Sequence, residues 1–357
     1  MRSAFDSCST SSTEILPVVY QHPYKYVRST ARLFNDYPSI ARNVRRVWFN
    51  GIYRYDTVNH IFSILQNCAN IRTISIPWTA LRYGTPADWD QLTSFPRFTS
   101  LELLAVGLKS EITNHPSSLL NHNVLANPTL TFRNLRRLKL FGDSNIMPID
   151  DNDLLQLSHS ATNLREILIA NVNSITIQGV AAVIAASKNT LQLIDFTNTA
   201  AAQPDQLIPA HTQTSHHICT LLASCTKLRD LAISIPTLCP ELFAHDNPWQ
   251  ETIRLRVASA GDDVDAFAGN LDAARDLIRR KDGKLDIEVA VGGWLFDVKE
   301  RMVHGSFKKV RAEVMQTPSV KGPYGYTGIH GGEAKGEWNS VGEQDFMELV
   351  RAGLVRL

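Results

Sequence analysis

A short apolar pattern recurs along the first two thirds of the chain and limits what it can fold into. In the segment FRNLRRLKLFGD, Leu135, Leu138 and Leu140 stand in the order L-x-x-L-x-L. Seven apolar triplets of this form occur, at Val44/Val47/Phe49, Ile71/Ile74/Ile76, Leu101/Leu104/Val106, Leu135/Leu138/Leu140, Leu164/Ile167/Ile169, Leu191/Ile194/Phe196 and Leu228/Leu231/Ile233. Their first members lie 27, 30, 34, 29, 27 and 37 residues apart, which indicates a repeated structural unit.

The period and the triplet together are typical of leucine-rich repeats, in which a short strand turns its apolar side chains inward. The position three residues before each triplet supports this register, because it is apolar in six of seven units: Ala41, Cys68, Phe98, Phe132, Ala161, Lys188 and Cys225. We therefore expect an α/β fold, a right-handed leucine-rich-repeat solenoid of about seven irregular repeats. An N-terminal helical cap and a C-terminal α+β extension are expected at its two ends.

Composition divides the chain into five stretches. The prediction is a disordered tail over 1–23, a helical cap over 24–43, the repeat array over 44–242, an α+β extension over 243–315, and a Gly/Pro-rich flexible tail with a short terminal helix over 316–357. Within the extension, apolar residues alternate from Leu285 to Val291 and are followed by Gly292 and Gly293. This pattern predicts a β-hairpin.

The overall charge excludes some partner classes. Among 357 residues the formal net charge is +1, and the isoelectric point is near 7.7. No strong field therefore favours nucleic acid or an anionic membrane as the main partner, and we expect neither. Five cysteines without a C-x-x-C pair indicate reduced core thiols, no metal and no cofactor. The N-terminus lacks an apolar leader segment, so a cytoplasmic or nuclear location is expected.

The frame around the triplets resembles a known family. It reads CANIRTISI, SATNLREILI and SCTKLRDLAI, a hydrophobic-R-x-L-x-L pattern after a predicted helix that ends in Cys or Ala. This resembles the leucine-rich-repeat region of fungal F-box proteins, roughly from Tyr24 to Leu242. The stretch LFNDYPSIARNVRRVWF resembles the segment that links the F-box to the first repeat in that family. The F-box itself is expected to be absent, because Leu16-Pro17 does not continue as L-P-x-E-[LI]-L.

The resemblance implies a role as the substrate-receptor component of a cullin-type ubiquitin ligase. Its partners would be a protein client and, if recruitment occurs, the ligase adaptor. Without the F-box, the alternative is a stand-alone scaffold that cannot recruit the ligase. In either case the chain is expected to be a protein-recognition module and not an enzyme.

The candidate binding residues are the strand positions that alternate with the inward triplets and face the concave surface. Those selected by charge and by residue type are Arg46, Trp48, Arg137, Lys139, Phe141, Glu166, Asp195 and Asp230. Basic residues lie in the first and fourth units and acidic ones in the fifth to seventh, so we predict a polarised face that orients a charged partner. In the third unit the same rule assigns Leu103, Ala105 and Gly107 to this face. The alternative is that a mixed charged face serves only solubility.

One motif suggests catalysis. Gly142, Asp143 and Ser144 resemble the G-D-S block of an esterase family, in which the serine is a nucleophile. That chemistry needs a base, and no D-x-x-H motif occurs in the chain. A turn after a strand is the preferred interpretation, and a hydrolase using Ser144 is the weaker alternative.

Two further clusters contain residue types that bind metals. His211, His216, His217 and Cys219 lack a second ligand pair, so no zinc site is predicted. Asp150, Asp151 and Asp153 precede the apolar run LLQL, which predicts a capped helix N-terminus and not a calcium loop.

Overall fold

The computed structural model describes residues 25–49, 53, 55–104, 124–125, 127, 129–142, 149–172, 174–197, 218–244, 247–260, 263–305 and 339–357. The helices are α1 Lys25–Asp36, α2 Pro38–Ala41, α3 Tyr55–Asn67, α4 Trp78–Tyr83, α5 Pro86–Ser94, α6 Asp151–Ser158, α7 Ile177–Ser187, α8 Ile218–Ala223, α9 Val264–Arg280 and α10 Glu343–Arg351. The strands are β1 Arg46–Trp48, β2 Thr73–Pro77, β3 Ser100–Leu104, β4 Arg137–Phe141, β5 Glu166–Ala170, β6 Leu193–Thr197, β7 Asp230–Thr237, β8 Thr252–Ser259, β9 Asp286–Val291, β10 Trp294–Asp297, β11 Met302–Gly305 and β12 Asn339–Gly342.

All twelve strands belong to one sheet, in chain order from β1 to β12. Neighbours from β1 to β9 are parallel, and β9 to β12 are antiparallel. Helices pack on their neighbours along the chain, α1 on α3, α3 on α4 and α5, and α7 on both α6 and α8. The molecule is therefore an α/β protein built on a single mixed, mostly parallel sheet.

The expected fold class, a right-handed leucine-rich-repeat solenoid with an N-terminal helical cap and a C-terminal α+β extension, is wrong. The region after residue 242 does not form its own unit, because β8 pairs with β7 and continues the same sheet through β9 to β12. The physical reason lies at the edge of β7, which would otherwise leave a row of backbone N–H and C=O groups unpaired. Strand β8 pairs with this edge and satisfies those groups.

Two rows of apolar side chains run across the sheet and form its core. The first row joins, strand by strand, Ile74, Leu101, Leu138, Ile167, Ile194, Leu231, Ile253 and Ile287. The second joins Ile76, Leu103, Leu140, Ile169, Phe196, Ile233, Leu255 and Val289. None of these sixteen side chains exposes more than 2% of its surface. Each such burial contributes about 1.5–3 kcal/mol, so these rows fix the register of the sheet.

The register corrects one predicted triplet. Leu101 lies opposite Leu138, the second member of its triplet, and Leu103 lies opposite Leu140, the third. The first member is therefore Phe98, which is 3% exposed, and Leu101/Leu104/Val106 is wrong. Phe98 follows Ile71 by 27 residues, the commonest spacing, and precedes Leu135 by 37.

The aspartates before α6 act as the sequence predicts. Asp150 accepts hydrogen bonds from the backbone N–H groups of Asn152 and Asp153, and the Asp153 carboxylate accepts one from the backbone N–H of Asp150. This capping box satisfies donors that the first helical turn leaves unpaired. Asp151 turns away toward α7, where it accepts from the backbone N–H of Thr176 at 2.7 Å and from its hydroxyl at 2.6 Å.

Replacing Asp151 with Ala is expected to lower the free energy of unfolding by about 1–3 kcal/mol, because two donors at the start of α7 lose their acceptor. Urea denaturation followed by circular dichroism measures the change. Asn152→Ala is the matched control, since the Asn152 side chain is exposed on the same helical turn. Equal stability of the Asp151 variant and the control would contradict the assigned role.

The C-terminal helix closes the end of the sheet. Phe346 is fully buried, and its ring lies 4.9 Å from that of Trp294 and 5.5 Å from that of Phe296, between centroids. On α9, the Arg275 guanidinium pairs with both Asp272 and Glu343. The predicted hairpin is present as β9–β10, with positive φ at the two glycines between them.

Candidate functional site

Strand residues that alternate with the core rows form the opposite face of the sheet, here called the polar strand face. Its middle row follows the register through Trp48, Ser75, Glu102, Lys139, Leu168, Asp195, Ala232, Arg254 and Glu288. A parallel row contains Arg46, Thr73, Ser100, Arg137, Glu166, Leu193 and Asp230. A third contains Pro77, Leu104, Phe141 and Ala170.

All eight candidate residues lie on this face. Four share one row: Arg46, Arg137, Glu166 and Asp230. The middle row holds Trp48, Lys139 and Asp195, and the third holds Phe141. The structure does not gather them into one cluster, because β1 and β4 are three strand spacings apart, about 14 Å. The face is an extended surface and not a pocket around a few side chains.

Arg137 and Glu166 form a two-pronged pair across β4 and β5. The Arg137 Nε lies 2.5 Å from one carboxylate oxygen of Glu166, and an Nη lies 2.6 Å from the other. The hydrogen bonding to Glu166 raises the pKa of Arg137 above its ordinary value. Since the two planar groups hold each other in place, this part of the face has a fixed shape.

Glu102 and Lys139 form the second cross-strand pair, at 3.7 Å between Lys139 Nζ and Glu102 Oε2. Their side chains are only 4% and 10% exposed. Burial raises the pKa of Glu102, against the opposing effect of Lys139, and burial lowers the pKa of Lys139. The pair is therefore desolvated as well as paired, and each charge depends on the other.

Glu102 was missed by the sequence reasoning, which assigned Leu103, Ala105 and Gly107 to the face. Leu103 belongs to the core instead, and Ala105 and Gly107 lie outside the described residues. The 27-residue period from Ile71 to Phe98 is the signal that would have placed Glu102 correctly. Its presence changes the electrostatics, because both cations of β4 are neutralised by carboxylates on neighbouring strands.

Two ends of the face differ from its middle. At β1, Trp48 exposes 41% of its surface. At β8 and β9, Arg254 and Glu288 form a further cross-strand pair at 3.5 Å, with 35% and 43% of their side chains exposed. The polar strand face thus continues past the region in which the sequence predicted it.

Beside the face, helix α4 carries an unusual buried cation. Arg82 is 3% exposed, and none of its three guanidinium nitrogens has a hydrogen-bond partner among the described residues. The guanidinium lies 5.3 Å from the ring centroid of the adjacent Tyr83. A buried charge that lacks hydrogen bonds destabilises a fold by several kcal/mol.

Replacing Arg82 with Met is expected to raise the free energy of unfolding by about 1–4 kcal/mol, because an unbonded buried charge is exchanged for an apolar chain of similar length. Arg275→Met is the matched control. It removes a second buried guanidinium, 9% exposed, that is bonded to Asp272 and Glu343, so that variant should be less stable than the parent. Chemical denaturation measures both, and a loss of stability in the Arg82 variant would refute the expectation.

The other chemical candidates give no reactive site among the residues that can be described. Cys219 and Cys225 are buried and unbridged, and burial raises the pKa of the Cys225 thiol to about 12, far from the thiolate form at neutral pH. Ser144 and the three histidines considered as zinc ligands, His211, His216 and His217, lie outside the described residues. Within the described ranges, His, Cys, Asp and Glu side chains do not gather in threes as around a metal ion.

No protein-family model matches this chain, and no curated protein sequence matches it either. Over the same described ranges, no helix has both the length and the apolar character needed to cross a bilayer.

Proposed function

We propose that this chain is a non-catalytic protein-recognition module that binds its partner with the polar strand face. The observation that carries the proposal is the middle row, in which six of the nine positions in register from β1 to β9 are polar or charged, the others being Trp48, Leu168 and Ala232. Eight strand spacings of about 4.8 Å give a row of roughly 38 Å. Five residues per strand add a width of about 16 Å. The middle row is open at its two ends, at Trp48 and at Arg254 and Glu288, and buried from Ser75 to Ala232.

Residue types on the face support recognition. Trp48, Arg137 and Phe141 belong to the types that dominate binding energy at interfaces. Cross-strand pairing holds Arg137 in place before any partner arrives, which reduces the entropy lost on binding. Among the described positions of the three rows there is no His or Cys beside a hydroxyl, so the face offers a surface to bind and no nucleophile with its base.

The experiment is affinity capture from the cell extract in which the protein naturally occurs. The parent chain is compared with a Trp48→Ala/Phe141→Ala variant of the face and with a Tyr26→Ala/Tyr37→Ala control, which removes exposed aromatic groups near α1. Partners that the parent and the control retain, and that the face variant loses, are expected. Identical partners on all three proteins would count against the face as the binding site.

The resemblance to fungal F-box proteins gives a finer form of the proposal, a substrate receptor of a cullin-type ubiquitin ligase. The same capture tests it. Recovery of the ligase adaptor and cullin together with the client would support the ligase role. Recovery of partners that depend on the face, without adaptor or cullin, would leave a stand-alone recognition scaffold.

A further inference from the structure

The residues just before the strands form a continuous backbone ladder. The backbone N–H of the residue before one strand donates to the backbone carbonyl of the residue before the preceding strand, at 2.7–3.1 Å. From the first acceptor to the last donor, the ladder runs through Arg45, Arg72, Thr99, Arg136, Arg165, Gln192, Arg229 and Glu251. The seven positions before β1–β7 therefore lie in one row with the inter-strand spacing of about 4.8 Å, and the row spans about 29 Å. Together with the turns that lead into it, this row is here called the arginine edge: residues 42–45, 69–72, 96–99, 133–136, 162–165, 189–192 and 226–229.

The arginine edge is basic throughout. Its nine charged residues are Arg42, Arg45, Arg72, Arg97, Arg133, Arg136, Arg165, Lys227 and Arg229, and it contains no Asp or Glu. The whole chain has a formal charge of +1. The edge alone contributes +9, so the remaining residues together carry −8. A nearly neutral composition thus hides a strongly charged strip.

These charges are not neutralised by neighbouring carboxylates. In the described part of the chain, none of the nine side chains takes part in an ion pair. Arg45 donates to the carbonyl of Arg42 at 2.9 Å, and Arg136 to that of Asn163 at 3.0 Å. These two are half-buried, whereas the other seven basic side chains of the edge are exposed.

Helix ends account for only part of this charge. Helices α2, α3, α5, α6, α7 and α8 end just before the edge, and each C-terminus carries a partial negative charge of about 0.5. Six such ends offset about 3 of the nine positive charges. About six positive charges along the 29 Å row are therefore not offset by helix C-termini.

Guanidinium groups bind carboxylates and phosphates with paired hydrogen bonds. Two observations favour carboxylates. The one aromatic residue of the edge, Phe98, is 3% exposed, so nucleic-acid bases would find no ring to stack on. The −8 charge of the other residues would repel a long polyanion, whereas a short acidic segment touches only the edge. At about 3.3 Å per extended residue, 29 Å corresponds to about nine residues.

We propose that the arginine edge binds an extended acidic segment of a protein, about nine residues long and rich in Asp or Glu, across the amino ends of β1–β7. This rests on the proposed function only in that the ligand is a protein, and it uses a different surface. Carboxylates of the segment pair with the exposed guanidinium groups, so binding weakens as salt is added.

The test uses the chain of 357 residues and a fluorescein-labelled decapeptide of alternating Glu and Ser, with Gln in place of Glu as the peptide control. Fluorescence anisotropy is expected to show saturable binding of the Glu peptide at low salt and none of the Gln peptide. Arg72→Glu/Arg165→Glu/Arg229→Glu is expected to weaken binding at least tenfold. Lys25→Glu/Arg32→Glu/Lys284→Glu changes the net charge equally and is expected to weaken it less than about twofold.

Three results would overturn the inference: no binding of the Glu peptide, equal losses in the two charge-reversal variants, or tighter binding of a short DNA duplex that is lost in the edge variant. Thermal melting checks that the edge variant folds, which is expected because its three arginines are exposed and form no ion pair within the described part of the chain. The Trp48→Ala/Phe141→Ala variant is expected to bind the Glu peptide like the parent. Failure of the peptide would therefore leave the capture result for the polar strand face intact.

Discussion

Replacing Lys139 with Met is expected to lower the free energy of unfolding by about 3–5 kcal/mol, because it leaves the Glu102 carboxylate buried without its partner. Glu102 exposes only 4% of its side chain, and one of its oxygens has no hydrogen-bond partner even in the parent protein. The other oxygen lies 3.7 Å from the Lys139 Nζ, and hydrogen bonding with Ser75 and Lys139 opposes the rise in the pKa of Glu102. Urea denaturation at pH 7 measures the loss.

A double variant separates lost pairing from lost packing. Glu102→Leu/Lys139→Met removes both charges together and is expected to be at least as stable as the parent, since well-packed apolar residues commonly replace a buried pair without loss. A double variant as unstable as the single Lys139 variant would show that the loss comes from packing and not from the unpaired carboxylate.

The same pair predicts a pH dependence. Burial raises the pKa of folded Glu102, and the charges of Lys139 and Arg137 oppose this rise. A raised folded pKa means that ionised Glu102 costs stability above its ordinary pKa, near 4.3, and that this cost disappears as the pH falls through the folded value. Without Lys139 the rise is larger. The stability gap between parent and Lys139→Met is therefore expected to shrink from pH 7 to about pH 4.5, and a constant gap would contradict this cause.

Replacing Phe346 with Ala is expected to lower the free energy of unfolding by about 3–5 kcal/mol, because a fully buried ring leaves a cavity. The cavity opens beside Trp294 and Phe296, whose rings contact that of Phe346. The effect tests whether the end of the chain belongs to the same core as the strands, which is the point on which the expected fold class was wrong. Chemical denaturation followed by tryptophan fluorescence measures it.

The control for Phe346 lies on the same helix. Glu348 is exposed on α10, so Glu348→Ala is expected to change stability by less than about 0.5 kcal/mol. A small change in both variants would mean that α10 does not pack on the sheet in solution.

Much of the sheet could be predicted from local patterns. Six of the seven triplets name the correct core positions, because their apolar residues leave only one register that buries all three. Capping by Asp150 was also predictable, since an acidic side chain before an apolar run has few alternative uses. The hairpin followed from the glycine pair between two alternating stretches, since both glycines adopt positive φ.

The third triplet was predicted in the wrong register because the local sequence is ambiguous. Leu101, Leu103, Leu104 and Val106 are all apolar, so two registers bury a comparable number of side chains. Only the position of Phe98 or the pairing with β4 separates them. The wrong register shifted the predicted face of β3 and removed Glu102 from it. The cations of β4 then appeared to lack carboxylate partners, and the surface appeared polarised.

The sequence did not predict that the sheet continues past β7, and the reason is a different one. In β8, Ile253, Leu255 and Val257 alternate, but the position three residues before Ile253 is Gln250, so the triplet pattern stops. Strand pairing depends on backbone groups that every residue possesses, and a side-chain pattern does not report it. The arginine edge was overlooked because net charge averages a local strip with the rest of the chain.

The most direct test of the central claim is hydroxyl-radical footprinting of the chain, alone and in the complex isolated by capture. If the partner covers the polar strand face, oxidation of Trp48 and Phe141 falls several-fold in the complex. Oxidation of Tyr26, which is 83% exposed near the start of α1, stays unchanged. Unchanged oxidation of Trp48 and Phe141, with protection of Tyr26 instead, would contradict the claim that the polar strand face binds the partner.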